Sequence, residues 1–194
     1  MKKTIITSAI AFLACAATYA SPKAIAYSEN EIMSERQNAA KIKADLNKDG
    51  VTDLIVYNDK SLSIYFNNGF ANYFPRGTFI IENEYADSRI IDVSVNAKGV
   101  VRIDTEWTND RGASGSDTYV TRLQNNDFYL IGYDSRYNHP PTYYSFNLLT
   151  YKATTASGYD EDTKRETKVL KRLPLKLLSE IKIGEYKCED YFDY

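Results

Sequence analysis

One histidine, two cysteines and one tryptophan occur in 194 residues, and each scarcity removes a class of chemistry. His139 lies in Asn138-His139-Pro140-Pro141, and no Gly-x-Ser-x-Gly string accompanies it. The nearest, Gly112-Ala113-Ser114-Gly115, has the wrong spacing. A hydrolase triad that uses histidine as base therefore lacks its serine elbow, and the histidine reads as an exposed turn residue. One histidine and one mature cysteine do not complete a zinc ligand set. Lys and Arg total 24 against 26 Asp and Glu, a formal charge of −2, so nothing resembles the basic footprint of a nucleic-acid binder.

The only long apolar run is at the start. Met1-Lys2-Lys3 is a short basic region, Ile5 to Ala17 is apolar but too short for a stable span, and Thr18-Tyr19-Ala20 offers small residues for cleavage before Ser21. The sequence thus predicts a signal peptide over 1–20, with 21–194 exported as a single β-rich domain, periplasmic or secreted. Leu13-Ala14-Cys15 is the alternative, a weak lipobox with Cys15 lipidated, although Phe12 stands where leucine is usual. Loss of 1–20 removes two lysines and no acids, moving the formal charge from −2 to −4. Cys188 is then the one remaining thiol, either free or intermolecular. With no internal disulfide to help, stability must come from a buried core.

The densest chemical signal is Asp45-Leu46-Asn47-Lys48-Asp49-Gly50-Val51-Thr52-Asp53. Calcium takes six to eight oxygens. A tight loop supplies them from positions 1, 3 and 5, from a backbone carbonyl at 7, and directly or through water at 9, with glycine at 6 for the sharp bend. Those places hold Asp45, Asn47, Asp49, Val51 (through its carbonyl), Asp53 and Gly50. An EF-hand would need glutamate at position 12, where Val56 stands, and helices on both flanks. Here the flanks read as strands: Ile42, Ala44 and Leu46 alternate with Lys41, Lys43 and Asp45, and Leu54-Ile55-Val56-Tyr57 is a β-branched and aromatic run. Asp, Asn and Gly are also ordinary turn formers. Three carboxylates in nine residues, however, repel one another unless a cation or solvent separates them.

Residues 42–74, from Ile42 through this loop, Leu54 to Tyr57, Ser61 to Phe66 and Asn67-Asn68-Gly69, resemble one FG-GAP or VCBS-type repeat. Such repeats build integrin α-chain propellers and occur in many bacterial surface proteins. The resemblance implies that the aspartate loop joins two strands and binds Ca²⁺, and that a further strand ends in the Asn-Gly turn. The sequence carries one such unit, whereas a propeller needs several.

The rest is strand and turn. Strands are predicted at Ser61–Phe66, Thr78–Ile81, Ile90–Val95, Val100–Trp107, Thr118–Leu123, Phe128–Tyr133, Tyr143–Leu149, Tyr151–Ala156 and Thr163–Leu170. Asn96 to Gly99 and Gln124 to Asp127 are hairpin turns. A short helix is expected around Asn30–Asn38, and another at Pro174–Ile181, where proline suits a first helical position and Leu177, Leu178 and Ile181 share a face. The fold class is all-β, mainly antiparallel hairpins, propeller-like or sandwich-like, with at most one or two short helices. The mixed-charge run Asp160–Lys171 reads as a solvated edge strand.

Function then rests on calcium and on recognition. Seventeen tyrosines supply surfaces that are either sheet filler or a binding face. Trp107, Tyr133, Tyr137 and Tyr143 are the candidate contacts, and Thr108 to Asp117 is a candidate binding loop. The expected role is a non-enzymatic interaction module binding another envelope or secreted protein, in one form as a periplasmic inhibitor or immunity protein. A carbohydrate-binding module using the tyrosines and Trp107 is the alternative. A hydrolase built on Asp104 and Glu106, same-face acids of one strand, is a second.

Overall fold

The computed structural model describes residues 25–36, 38–82, 87–138, 141–157, 164–172 and 174–181. The expected signal peptide, Cys15, His139 and Cys188 lie outside the described residues. The first element is a short helix, α1 (Glu29–Ser34), opened by a reciprocal cap. The Ser28 hydroxyl accepts from the Glu31 N–H at 3.3 Å, and the Glu31 carboxylate accepts from the Ser28 N–H at 2.7 Å.

Among the described residues eleven strands follow: β1 (Ala40–Ala44), β2 (Asp53–Tyr57), β3 (Ser61–Asn67), β4 (Tyr73–Ile80), β5 (Arg89–Val95), β6 (Val101–Thr108), β7 (Ser114–Gln124), β8 (Asp127–Asn138), β9 (Pro141–Asn147), β10 (Lys152–Ser157) and β11 (Lys164–Val169). They form a four-stranded sheet in the order β1-β2-β3-β4 and a seven-stranded sheet in the order β11-β10-β9-β8-β7-β6-β5. Within each sheet chain neighbours are sheet neighbours, so each is an antiparallel meander, and the chain changes sheet between β4 and β5. As expected from its charges, β11 is an edge.

Asparagine closes the hairpins. Asn58, Asn96, Asn109 and Asn147 each accept two backbone N–H groups within the next few residues. Between β7 and β8, Asn125 and Asn126 have φ of 48° and 72°, the left-handed pair that a two-residue hairpin loop requires.

The two sheets share one core. Ile55, Leu62, Ile64 and Phe79 of the smaller sheet pack in the same cluster as Ile103, Tyr119, Leu130 and Phe146 of the larger. This is the sandwich-like of the two arrangements that the strand pattern allows. The other face of the small sheet, Leu54, Val56 and Tyr73, is covered by Ile32 of α1. That explains the burial of every residue from Asp53 to Val56, a run with no polar alternation.

One expected helix is absent. Over Pro174–Ile181 the described chain runs extended: the Lys176 carbonyl accepts from the Leu130 N–H at 2.9 Å, and Leu177 bridges Tyr129. Only a 3-10 turn forms, at Leu178–Glu180. The segment is too short to sustain a helix alone. Leu178 is instead drawn into the core beside Gly77, where an added Cβ would stand 3.2 Å from its Cδ2.

Candidate functional site

The aspartate bend joins β1 to β2, as expected, and its oxygens turn inward onto its own amides. Asp45 Oδ1 accepts from the Lys48 N–H at 2.7 Å and Oδ2 from the Gly50 N–H at 3.1 Å. Asn47 Oδ1 accepts from the Asp49 N–H at 3.1 Å, and Asp49 Oδ1 from the Val51 N–H at 2.8 Å. The bend needs two left-handed residues, Lys48 at φ 65° and Gly50 at φ 86°. Glycine takes the second at little cost. The Lys48 ammonium reaches back to the Asp45 carbonyl at 2.6 Å.

Asp53 differs from the other three side chains because it is fully buried. Its Oδ2 accepts from the Leu46 N–H at 2.9 Å and its Oδ1 from the Asn67 N–H at 3.0 Å. One carboxylate therefore ties the bend to the end of β3. Burial holds that carboxyl above the ordinary aspartate value and the Asp49 charge adds to the shift, while the Asn67 and Leu46 amides oppose it.

The donor set is all oxygen, as calcium requires. A carboxylate oxygen that accepts one N–H retains a lone pair, so these bonds leave coordinating capacity. Among the described residues no group of three His, Cys, Asp or Glu side chains is already placed to hold a metal ion. Asn47 and the Val51 carbonyl fall outside that set of donor types.

The four candidate aromatic residues do not share a surface. Trp107 and Tyr137 meet edge-on, with centroids 5.2 Å apart, and Tyr137 in turn meets Tyr144 at 6.1 Å. Gly115 lies between Trp107 and Tyr137 in register, and a Cβ there would stand 2.5 Å from the indole. Tyr133 is buried, its hydroxyl donating to Asp117 Oδ1 at 2.9 Å, so it belongs to the core rather than to a binding surface. Tyr143 is on the opposite face of the large sheet, its hydroxyl donating to Asp134 Oδ1 at 3.1 Å beneath the Arg136 guanidinium. The expected binding loop is shorter than the sequence suggests. Ser114 to Asp117 are already strand, leaving a tip at residues 109–113 held by Asn109.

No family model, curated protein or solved structure matches this chain. The likeness to FG-GAP and VCBS-type repeats therefore stands on residues 42–74 themselves.

Asp104 and Glu106 do share the outer face of β6, and each has its own arginine. Asp104 accepts Arg102 Nε with both oxygens, at 3.1 and 2.9 Å, and also binds the Thr118 hydroxyl. Glu106 pairs with Arg89. Around Asp104, but not Glu106, opens a cleft of about 240 Å³ lined by Ile91, Asp92, Arg102, Thr118, Asp134 and Arg136. The polar alternation Arg102-x-Asp104-x-Glu106 and Asp134-x-Arg136 is visible in the sequence. Its meeting across strands is not, because that depends on register.

Proposed function

We infer that this chain is an exported, calcium-stabilised β-module that recognises another macromolecule and carries out no chemistry of its own. The observation that carries the reading is the bend at residues 45–53. Three of its acidic side chains are drawn into one turn, one of them is fully buried, and no cationic side chain pairs with that one among the described residues.

A divalent ion held by Asp45, Asn47, Asp49, Asp53 and the Val51 carbonyl would neutralise this excess and pin the β1–β2 hairpin against β3. Calcium is plentiful outside the cytoplasm, so a permanently filled structural site fits an exported chain. The family likeness of residues 42–74 points the same way, towards cell-envelope or secreted proteins that act by binding. The pairing of Asp104 and Glu106 with arginines gives the hydrolase reading no support.

The test is thermal unfolding of the exported chain in calcium and in chelator. Saturation at about a hundred times Kd adds about 2.7 kcal/mol, which raises Tm by several degrees in a chain of this size. Asp49→Ala should abolish the increment. Identical melting of parent and variant in both conditions would end the calcium reading. For recognition, immobilised protein in calcium should retain a specific component of envelope or secreted extracts, and retention of none would count against it.

A further inference from the structure

The outer face of the large sheet is a polar lattice whose members come from every strand. Across the register, Asp92, Asp104, Thr118, Asp134 and Ser145 form one row on five successive strands. The row continues through Thr154 to Thr167, whose hydroxyls are 3.1 Å apart. The neighbouring row brings Glu106, Ser116, Arg136 and Tyr143 alongside. Strands about 4.8 Å apart hold these groups at fixed spacing.

Within the cleft the hydrogen-bonding capacity is only partly used. Arg102 is committed to Asp104 and to the Thr118 hydroxyl. Arg136 stacks over the Tyr143 ring and, among the described residues, has no ion pair or side-chain hydrogen bond. The same holds for Asp92, and among the described residues Asp134 accepts from Tyr143 alone, through Oδ1. Donors and acceptors therefore stand open side by side. The outward charges are two guanidiniums against the carboxylates of Asp92, Asp104 and Asp134. Asp117, which also borders the cleft, has its carboxyl turned inward to Tyr133.

An anion entering here meets three carboxylates, and a cation meets two guanidiniums. A neutral ligand carrying several hydroxyls, each both donor and acceptor, satisfies both sets without opposing either. The volume of 240 Å³ equals about eight waters at about 30 Å³ each, room for one ring-sized polyol rather than a folded partner. We propose that this cleft binds one sugar ring of a neutral glycan, with Arg136 donating and Asp92 and Asp134 accepting. This deepens the recognition reading and rests on it.

The experiment is a titration of the calcium-loaded exported chain with maltose, cellobiose and diacetylchitobiose, with diglycine and inorganic phosphate as ionic probes. It reads the arginine Nε–H resonances by NMR. At least one disaccharide should shift the Arg136 signal saturably, with Kd of about 1 mM. Arg136→Ala and Asp92→Ala should each weaken binding about tenfold or more. Among the described residues neither makes a side-chain hydrogen bond, so both variants should melt close to the parent.

The proposal is overturned if no disaccharide shifts the resonance at about 50 mM, if both variants bind like the parent, or if diglycine or phosphate binds more tightly than every sugar. If it fails while extracts still yield a specific protein partner, glycan binding is lost and recognition stands. If neither sugar nor extract yields a partner, both are lost.

Discussion

Asp53→Asn is the sharpest probe of how the bend is held. The native carboxylate accepts from two buried or half-buried amides, Leu46 at 2.9 Å and Asn67 at 3.0 Å. Asparagine keeps one acceptor oxygen and turns an NH₂ towards the second amide, so one bond to a charged acceptor is lost and two donors face each other. Loss of such a bond costs about 1.5–3 kcal/mol, and an unsatisfied buried N–H costs about 1–3 kcal/mol. Against this, the substitution removes a charge that burial disfavours, as the raised carboxyl pKa indicates. Each unit of that shift returns about 1.4 kcal/mol.

In chelator the expected net loss is about 1–3 kcal/mol, a fall in Tm of some 2–10 °C for a chain of this size. In calcium the parent also gains the binding increment, and the variant, one ligand charge short, gains less. The assay is urea unfolding of parent and variant in both conditions. A chelator loss below about 0.5 kcal/mol would show that the Leu46–Asp53–Asn67 bridge does not hold the bend. An equal calcium increment in both proteins would show that Asp53 is not linked to the ion.

Gly115→Ala places a methyl 2.4 Å from the Arg136 carbonyl oxygen and 2.5 Å from the Trp107 ring. Backbone cannot yield cheaply, so a loss of about 1–3 kcal/mol is expected, together with a changed Trp107 emission as the indole leaves Tyr137. Unchanged emission and stability would refute this packing. Asp117→Asn tests the buried carboxyl beside Tyr133, which burial pushes above its ordinary value, with the Ser135 and Tyr133 hydroxyls opposing. The folded chain then keeps this proton to higher pH than the unfolded chain does. Its contribution is most favourable below the unfolded aspartate pKa and is lost as pH rises through the folded value. The stability of the parent relative to the variant should therefore fall as pH rises above about 4, the unfolded aspartate value, and urea midpoints that stay parallel with rising pH would contradict it.

Strand positions were legible because β-branched and aromatic runs alternate with turn residues along a local stretch. Leu54 to Tyr57 and Ser61 to Phe66 are strands for reasons contained in a few neighbours. The turn at Asn96 was legible too, since its amide bonds its own following backbone, whereas the turn capped by Asn147 falls inside the strand expected over Tyr143–Leu149 and was not. The helix expected at Pro174–Ile181 failed because helical periodicity over eight residues is weaker than the pull of a core that accepts Leu178. The aromatic candidates scattered for a related reason. Alternation places Tyr143 and Tyr144 on opposite faces of β9, but it does not say which face meets the other sheet.

The sequence alone therefore determined that the chain is β-rich, where several of its turns fall, and that acidic oxygens gather between residues 45 and 53, since all of this depends on contacts a few residues apart. Only the tertiary structure decided that Asp53 is sealed against Asn67 at the end of β3, and that Asp92, Asp104, Thr118 and Asp134 line up across four strands. Those meetings depend on register, where a slip of one residue would turn every side chain to the other face. Register is settled by how the two inner faces share one core.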